Sequence, residues 1–400
     1  MNILFLTIGR VYDINVNGIY TDLLRKFKEN GHNIYIVSPR ERRLNLPTEY
    51  IKEGEVHYLR VKIGNITKTN IIEKGISTLL IEMLFLNAIK KYLNNVNFDL
   101  VLYSTPPITF EKVIRYIKKR NNAKTYLLLK DIFPQNAVDL NMFSKKSLLY
   151  RYFRKKEKKL YQVSDFIGCM SRANVEYILK NNPDIQPNKV EVCPNSIEPI
   201  NINKDESLKQ SIRNKYNIPL DKTVFIYGGN LGKPQGINFI IECLKSNKNN
   251  EEAYFVIVGS GTEFNKLKKF FQKEKLKNAQ LLNQLPKDEY ELLVNSSDVG
   301  LIFLDKRFTI PNFPSRLLSY MQASIPVLAA TDPYTDVGKV IEKGQFGYWC
   351  ISDGVNNFNE YVKKLCNEKV REKFGENARK YLEENFTVDH SYEIIMSHFK

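Results

Sequence analysis

Cysteine is scarce and scattered in this 400-residue chain. Cys169, Cys193, Cys243, Cys350 and Cys366 form no C-x-x-C and no short Cys/His spacing, which excludes a disulfide framework and leaves no zinc pattern. They read as small core residues of a protein kept in a reducing compartment. Histidine is nearly as rare, and none of His32, His57, His390 and His398 makes a convincing general base, His32 being most simply a Gly-His loop residue. Long apolar runs are missing too. The opening MNILFLTIGR loses its apolar character after eight residues and has no basic segment before it, so it reads as a buried strand and not as a signal peptide. The greasiest stretch, Ile76 to Ile89, contains Glu82 and is about two-thirds of the ~20 residues a membrane-spanning helix needs. The expectation is a cytoplasmic protein whose membrane contact, if any, is peripheral.

Acidic residues are the other shortage. The chain has 60 Lys+Arg against 44 Asp+Glu, a net charge of +16, which excludes a disordered acidic chain. The excess is uneven: residues 1–200 hold 32 basic and 19 acidic side chains, a net +13, whereas residues 201–400 hold 28 and 25, a net +3. A basic half suits nucleic acid, an anionic membrane surface or phosphorylated substrates. With 43% hydrophobic and 12% aromatic residues, the chain can bury roughly 75% of its unfolded surface and fill two domains.

Apolar β-rich runs alternate with helical patterns from end to end, which predicts parallel sheets covered by helices. In the first half the expected strands are Ile3–Leu6, Asn33–Val37, Leu100–Tyr103, Thr125–Leu129 and Phe166–Met170, with a helix over Gly18–Asn30 stopped by Gly31. Pro194–Asn203 breaks the pattern with two prolines and polar residues, and reads as a linker. Five further strands follow, at Thr223–Tyr227, Ala253–Val258, Ala279–Leu282, Val299–Phe303 and Val327–Ala330. The helices expected among them are Gly236–Leu244, Thr262–Phe271, Lys287–Asn295 and Pro314–Gln322, and a final helix spans Glu372–Glu384. The expected domains are 1–197 and 198–384, with a tail, 385–400, that can cross back to the first. Each is Rossmann-like, and open α/β sheets bind ligands beyond the carboxyl ends of their strands. Two such units facing each other would make a cleft.

The densest candidate for chemistry is YGGNLGKPQG, Tyr227 to Gly236, between a strand and a helix. Gly228, Gly229 and Gly232 allow a tight turn and close backbone approach, while a helix opening at Gly236 offers free N–H groups to an anion. Lys233 adds a mobile cation suited to phosphate. The same residues also fit an ordinary Gly-rich βα turn. Gly259-Ser260-Gly261 suggests a dinucleotide fingerprint, but Phe264 stands where the third glycine would be, which argues against NAD. Arg316, after Pro314 and Ser315, sits at a helix start, either as a surface cation or aimed at a ligand.

Four segments in order, GGNLGKPQG, VIVGSGTEFNKL, LPKDEYELLVNSSDVGLIFL and FPSRLLSYMQASIPVLAAT, resemble the C-terminal domain of family 4 glycosyltransferases with the GT-B architecture. NGIYTDLLRKFKENGHNIYIVSP resembles that family's first loop and helix. KDIFPQNAVDL and PNSIEP resemble segments of a bacterial subgroup that builds surface polysaccharides, the fucosamine transferase-like enzymes. The resemblance covers nearly the whole chain. It implies an α/β fold of two Rossmann-like domains facing across a cleft. It also implies sugar transfer from a nucleotide-sugar, UDP-linked first, with retention and without a metal or other cofactor. The absence of any Asp-x-Asp, the pair metal-dependent transferases use, is consistent with that. The resemblance then puts Lys233 and Arg316 on the departing diphosphate, a preorganised electrostatic role. Gly228, Gly229, Asn230, Gln235, Gly236, Ser260, Ser315 and Ser319 complete the donor side. Four positions depart from the family: Asn230 replaces an Arg, Gln235 a Lys, Pro311 the first of two glutamates, and Ser319 the second, which holds the donor ribose.

On the acceptor side, Asn17 and Gly18 fall on the loop after the first strand, as ligand contacts or as turn residues. Asp131 follows a strand and is a candidate to orient the acceptor hydroxyl or take its proton; an N-cap or a salt bridge is the other reading. Lys145 to Tyr161 holds eight basic residues and one acid among leucines and aromatics, either a core-packing helix with a solvated face or a contact for anionic lipid. No nucleic-acid-binding motif is present. The function expected is transfer of a sugar to a lipid-linked saccharide acceptor at the inner face of the cell membrane, in capsule, O-antigen or similar synthesis. The alternatives are a GT-B-fold sugar-nucleotide epimerase and an inactive scaffold of a polysaccharide assembly complex.

Overall fold

The computed structural model describes residues 1–67, 69–202 and 205–399. The chain divides into two compact units, one of residues 1–198 with 388–400 and the other of residues 199–387. Asn203, the last residue of the expected linker, and Lys400 lie outside the described residues.

The first unit begins β1 (Asn2–Leu6), α1 (Thr21–Glu29), β2 (Asn33–Glu41), β3 (Glu49–Glu53) and β4 (Val56–Ile63). It continues α2 (Ile71–Tyr92), β5 (Leu100–Ser104), α3 (Glu111–Asn121), β6 (Lys124–Leu129), α4 (Gln135–Asp139) and α5 (Leu148–Val163). Then come β7 (Phe166–Cys169), α6 (Arg172–Asn181) and β8 (Val190–Val192). The eight strands stand in the order β3-β4-β2-β1-β5-β6-β7-β8, parallel except for the β3–β4 hairpin at the edge. Its central strands are buried on both faces, as NILFL and LVLYS show, which is what helices on both sides of a parallel sheet require.

The second unit runs α7 (Glu206–Lys215), β9 (Thr223–Asn230), α8 (Ile237–Ser246), β10 (Ala253–Ser260), α9 (Phe264–Glu274) and β11 (Ala279–Asn283). It continues α10 (Lys287–Asn295), β12 (Val299–Phe303), α11 (Arg316–Gln322), β13 (Val327–Thr331) and α12 (Val337–Gly344). It closes with β14 (Gly347–Ile351), α13 (Val355–Leu365) and α14 (Glu368–Asn385). The six strands, all parallel, follow β11-β10-β9-β12-β13-β14. The order reverses at β9 and β12, the topological switch point where such sheets bind ligands. Phe225, Tyr227, Phe255, Leu301 and Phe303 fill the core beneath it.

Residues 388–400 open with one more helix, α15 (Val388–Met396). It packs on α1: Lys26 pairs with Asp389, Tyr392 meets the Phe27 ring edge-on at 4.9 Å, and Ile395 is fully buried in the first unit's core. Of the cysteines, Cys169, Cys193, Cys243 and Cys350 are buried and none is in a disulfide. His32 is held by a 3.2 Å hydrogen bond between its Nε2 and the Tyr392 hydroxyl. Among the described residues no helix is long and apolar enough to cross a membrane.

Candidate functional site

In the second unit the Gly-rich segment lies at the switch point. β9 runs three residues beyond the expected end, through Asn230, pairing in register with β10 up to Ser260. A short 3₁₀ turn, Lys233–Gln235, follows, and α8 begins at Ile237 behind Gly236, which takes the left-handed conformation at φ +60°. The expected helix opening at Gly236 is therefore shifted by one residue: this glycine is the flanking residue and not part of the helix. A side chain there would press on the Asp305 backbone after β12, 3.3 Å away.

The candidate donor residues divide by what they touch. Gly228 is buried, and a Cβ on it would overlap the Tyr290 ring, so its small size makes room for that ring. Gly229 has φ +134° and a Cβ there would come within 3.2 Å of an Arg316 guanidinium nitrogen. Gln235 is buried, and its Oε1 accepts from the Asn230 side chain and the Gly232 amide, each at 3.2 Å. Asn230 and Gln235 thus brace the loop. Lys233 is exposed and pairs with no carboxylate among the described residues. Ser260 donates to the Gln284 side-chain oxygen at 2.9 Å. Ser315 and Ser319 are exposed, and Ser315 flanks the α11 N-terminus without capping it by its side chain.

Arg316 is the centre of this arrangement. Its guanidinium carbon sits 4.4 Å from the centroid of the Tyr227 ring, and its Nη1 is buried without a hydrogen-bond partner in the protein. A buried guanidinium keeps its charge, and among the described residues it has no carboxylate partner. Tyrosine faces can hold such a cation in place but do not neutralise it. The Tyr290 hydroxyl beside it is also buried and unpartnered; burial pushes its ionisation up to about 12, with the Arg316 charge opposing. Tyr320 closes the group, donating to the carbonyls of Ile226 and Leu301. Two buried donors and a fixed positive charge at the carboxyl ends of parallel strands suit an anionic ligand. The tyrosines escape sequence reading, because Tyr227, Tyr290 and Tyr320 come from three elements and each reads as core.

In the first unit the switch point is between β1 and β5, and Asn17 and Gly18 lie on the loop that leaves β1. The Asn17 side chain accepts from Arg25 at 3.2 Å, and the Gly18 amide donates to Asp22 at 2.8 Å, so both are tied to the start of α1. Asp131 follows β6, and both its oxygens accept from the Asn136 side chain, at 2.8 and 3.0 Å. It makes no salt bridge among the described residues. Burial raises its pKa to about 6, against the opposing Asn136 hydrogen bond. The preceding Lys130 moves the opposite way, to about 8, because burial penalises its charge. Among the described residues no three His, Cys, Asp or Glu side chains gather as metal ligands would.

The basic segment Lys145–Tyr161 forms a helix only from Leu148, with Ser147 capping it by accepting from the Tyr150 amide. Part of its charge is used internally. Arg154 pairs with Glu157 at 2.6 Å and Lys156 with Glu82 at 3.2 Å, while Lys145, Lys146, Arg151, Lys155, Lys158 and Lys159 are exposed.

Solved structures of the same two-unit architecture define the class. The chain superimposes over 99% of its length, and 98% of the other, on a structure titled trehalose-6-phosphate from E. coli bound with UDP-2-fluoro glucose, with TM-score 0.72 and 12% identity. WaaG, a glycosyltransferase involved in lipopolysaccharide biosynthesis, matches at TM-score 0.66 and 14% identity over 98% of this chain and 99% of that one. The fold is GT-B. Residues 209–381 match the family model for glycosyl transferases group 1. A relative from Pseudomonas aeruginosa, the probable glycosyltransferase WbjE, is 23% identical over 82% of this chain and 80% of its own. The second unit therefore carries a glycosyl transferases group 1 domain, which makes the chain a transferase.

Proposed function

We propose that the chain transfers a sugar from a nucleotide-sugar, UDP-linked first, to a lipid-linked saccharide during bacterial surface polysaccharide synthesis. The observation that carries this reading is Arg316: a half-buried residue with no carboxylate partner among the described residues and with a buried, unpartnered Nη1, at the switch point of a sheet whose fold relative was solved with UDP-2-fluoro glucose. The involvement of WaaG in lipopolysaccharide biosynthesis supports the acceptor class.

In this reading the donor diphosphate meets Arg316, mobile Lys233 and the first free amides of α8. As the sugar–phosphate bond breaks, negative charge grows on the leaving oxygen, and fixed cations stabilise that charge more than the ground state. The transfer runs with retention by attack on the face the diphosphate leaves, and neither metal nor cofactor takes part. Asp131, titrating near neutrality, orients the acceptor hydroxyl or receives its proton. The enzyme works at the inner face of the cell membrane.

Isothermal titration of the full chain with UDP, GDP and their sugars tests the donor half. Binding of a uridine nucleotide that is lost in Arg316→Ala, with an unchanged melting curve, is expected. Absence of binding by every nucleotide in the panel sinks the reading. Incubation with nucleotide-sugar and no acceptor separates transfer from epimerisation, since only an epimerase would give a new sugar-nucleotide.

A further inference from the structure

Helix α2 is apolar on two sides. Ile81, Phe85 and Ile89 are buried on the unit's side, where the helix packs along β4. On the other side Ile76, Leu79, Leu80 and Met83 are 56, 50, 42 and 51% exposed. Their spacing of three, four and seven puts them on one face. A helix that is hydrophobic all round is normally covered all round. A contiguous apolar patch left in water marks an interaction surface.

Helix α5, tied to α2 by one ion pair, points to what covers it. Lys156 of α5 reaches Glu82 of α2 at 3.2 Å, which joins the edges of the two helices. Leu79 lies one turn before Glu82, and Tyr152 and Leu149 lie one and two turns before Lys156. Leu148, Leu149 and Tyr152 are exposed as well, Leu148 by 80%. Around them stand the exposed cations Lys145, Lys146, Arg151 and Lys155. Apolar side chains framed by lysine and arginine fit the boundary of an anionic bilayer, with chains entering the acyl region and cations on the headgroups. A second copy fits worse. A two-fold contact through the same patch would set these cationic segments against their own equivalents.

We infer that α2 inserts its Ile76–Leu79–Leu80–Met83 face into an anionic lipid surface, while the start of α5 holds the headgroups. This goes beyond the charged segment 145–161 and assigns the hydrophobic anchor to a different helix. It rests on the lipid-linked acceptor reading only for its purpose.

The test uses the full chain with phosphatidylcholine vesicles, with and without phosphatidylglycerol, and no nucleotide or acceptor. Sedimentation with the phosphatidylglycerol vesicles alone is expected. Leu79→Glu/Met83→Glu should lower partitioning about ten-fold or more, since carboxylates enter the acyl region poorly. Lys145→Ala/Arg151→Ala should lower it about 30-fold, the effect of two headgroup contacts. Leu80→Trp supplies a second readout that needs no loss of binding. Brominated lipid should quench it well beyond the quenching of the unsubstituted protein, which carries only Trp349. The inference is overturned if the double-Glu variant binds as the parent does, or if Leu80→Trp is not quenched. It is also overturned if the parent is a dimer that ignores vesicles and the double-Glu variant is a monomer. If vesicles fail to bind while UDP binds and sugar is transferred, only this inference falls; if vesicles bind and no nucleotide does, only the transfer reading falls.

Discussion

The guanidinium of Arg316 lies 4.4 Å from the centre of the Tyr227 ring, so the charge is positioned by a π face rather than by a carboxylate. A carboxylate would hold it more tightly and also cancel the charge a diphosphate needs. Replacing Tyr227 by Leu removes the π face, and a desolvated cation–π contact is worth about 2 kcal/mol. Affinity for the uridine nucleotide should fall about 30-fold in isothermal titration. Tyr227→Phe keeps the face and loses the 2.8 Å hydrogen bond from its hydroxyl to the Asn230 carbonyl. It should bind nearly normally and unfold about 1 kcal/mol more easily.

Gly229→Ala combines strain with obstruction. At φ +134° an alanine is disfavoured, and its methyl would press on the Arg316 guanidinium 3.2 Å away. Denaturant unfolding should show a loss of roughly 1 kcal/mol or more, and the apparent KM for the donor should rise further than kcat falls. Unchanged stability and unchanged KM would show that the guanidinium does not need that position.

Asp131 gives a pH signature with a definite sign. Its folded pKa of about 6 is above the ordinary 3.8, so between those values the native state holds a proton that the unfolded chain has released. Stability linked to this group is therefore fully present below about pH 4, declines as pH rises to about 6, and is flat above. Asp131→Asn should remove that decline and stabilise the protein at pH 7, by up to about 3 kcal/mol. The buried Asn136 Oδ1, unpartnered in the protein, would accept from the new amide. Transfer should drop in the same variant while UDP affinity stays; a variant that transfers normally has no acceptor role at this position.

Ile395 lies 390 residues along the chain from Phe5, whose core it helps to fill, and it is fully buried there. Ile395→Ala should cost about 2–5 kcal/mol in denaturant unfolding. A loss under 1 kcal/mol would mean that α15 is only loosely docked.

Much of the fold is legible in the sequence because parallel strands buried on both faces leave short continuous apolar runs. VGLIF and KDEYELLVN give β12 and α10 with their ends in place. The strands left unread are β3, β4, β8 and β14; in the first three polar residues interrupt the pattern, and EYIKE pairs only at the sheet's edge and shows no buried run. The missed pairing partner decides such segments, and pairing is not local.

Residue type and spacing by themselves determined two α/β units, a Gly-rich turn between strand and helix, a cation at the start of α11, and a basic first half. Tertiary structure decided what those residues do. Gly228 makes room for Tyr290, Gln235 and Asn230 brace the loop, and Arg316 stands among tyrosines from β9, α10 and α11 without a carboxylate partner among the described residues. Burial and partnership are properties of assembled elements. The same long-range packing leaves an α2 face uncovered that the sequence alone shows only as one more apolar run.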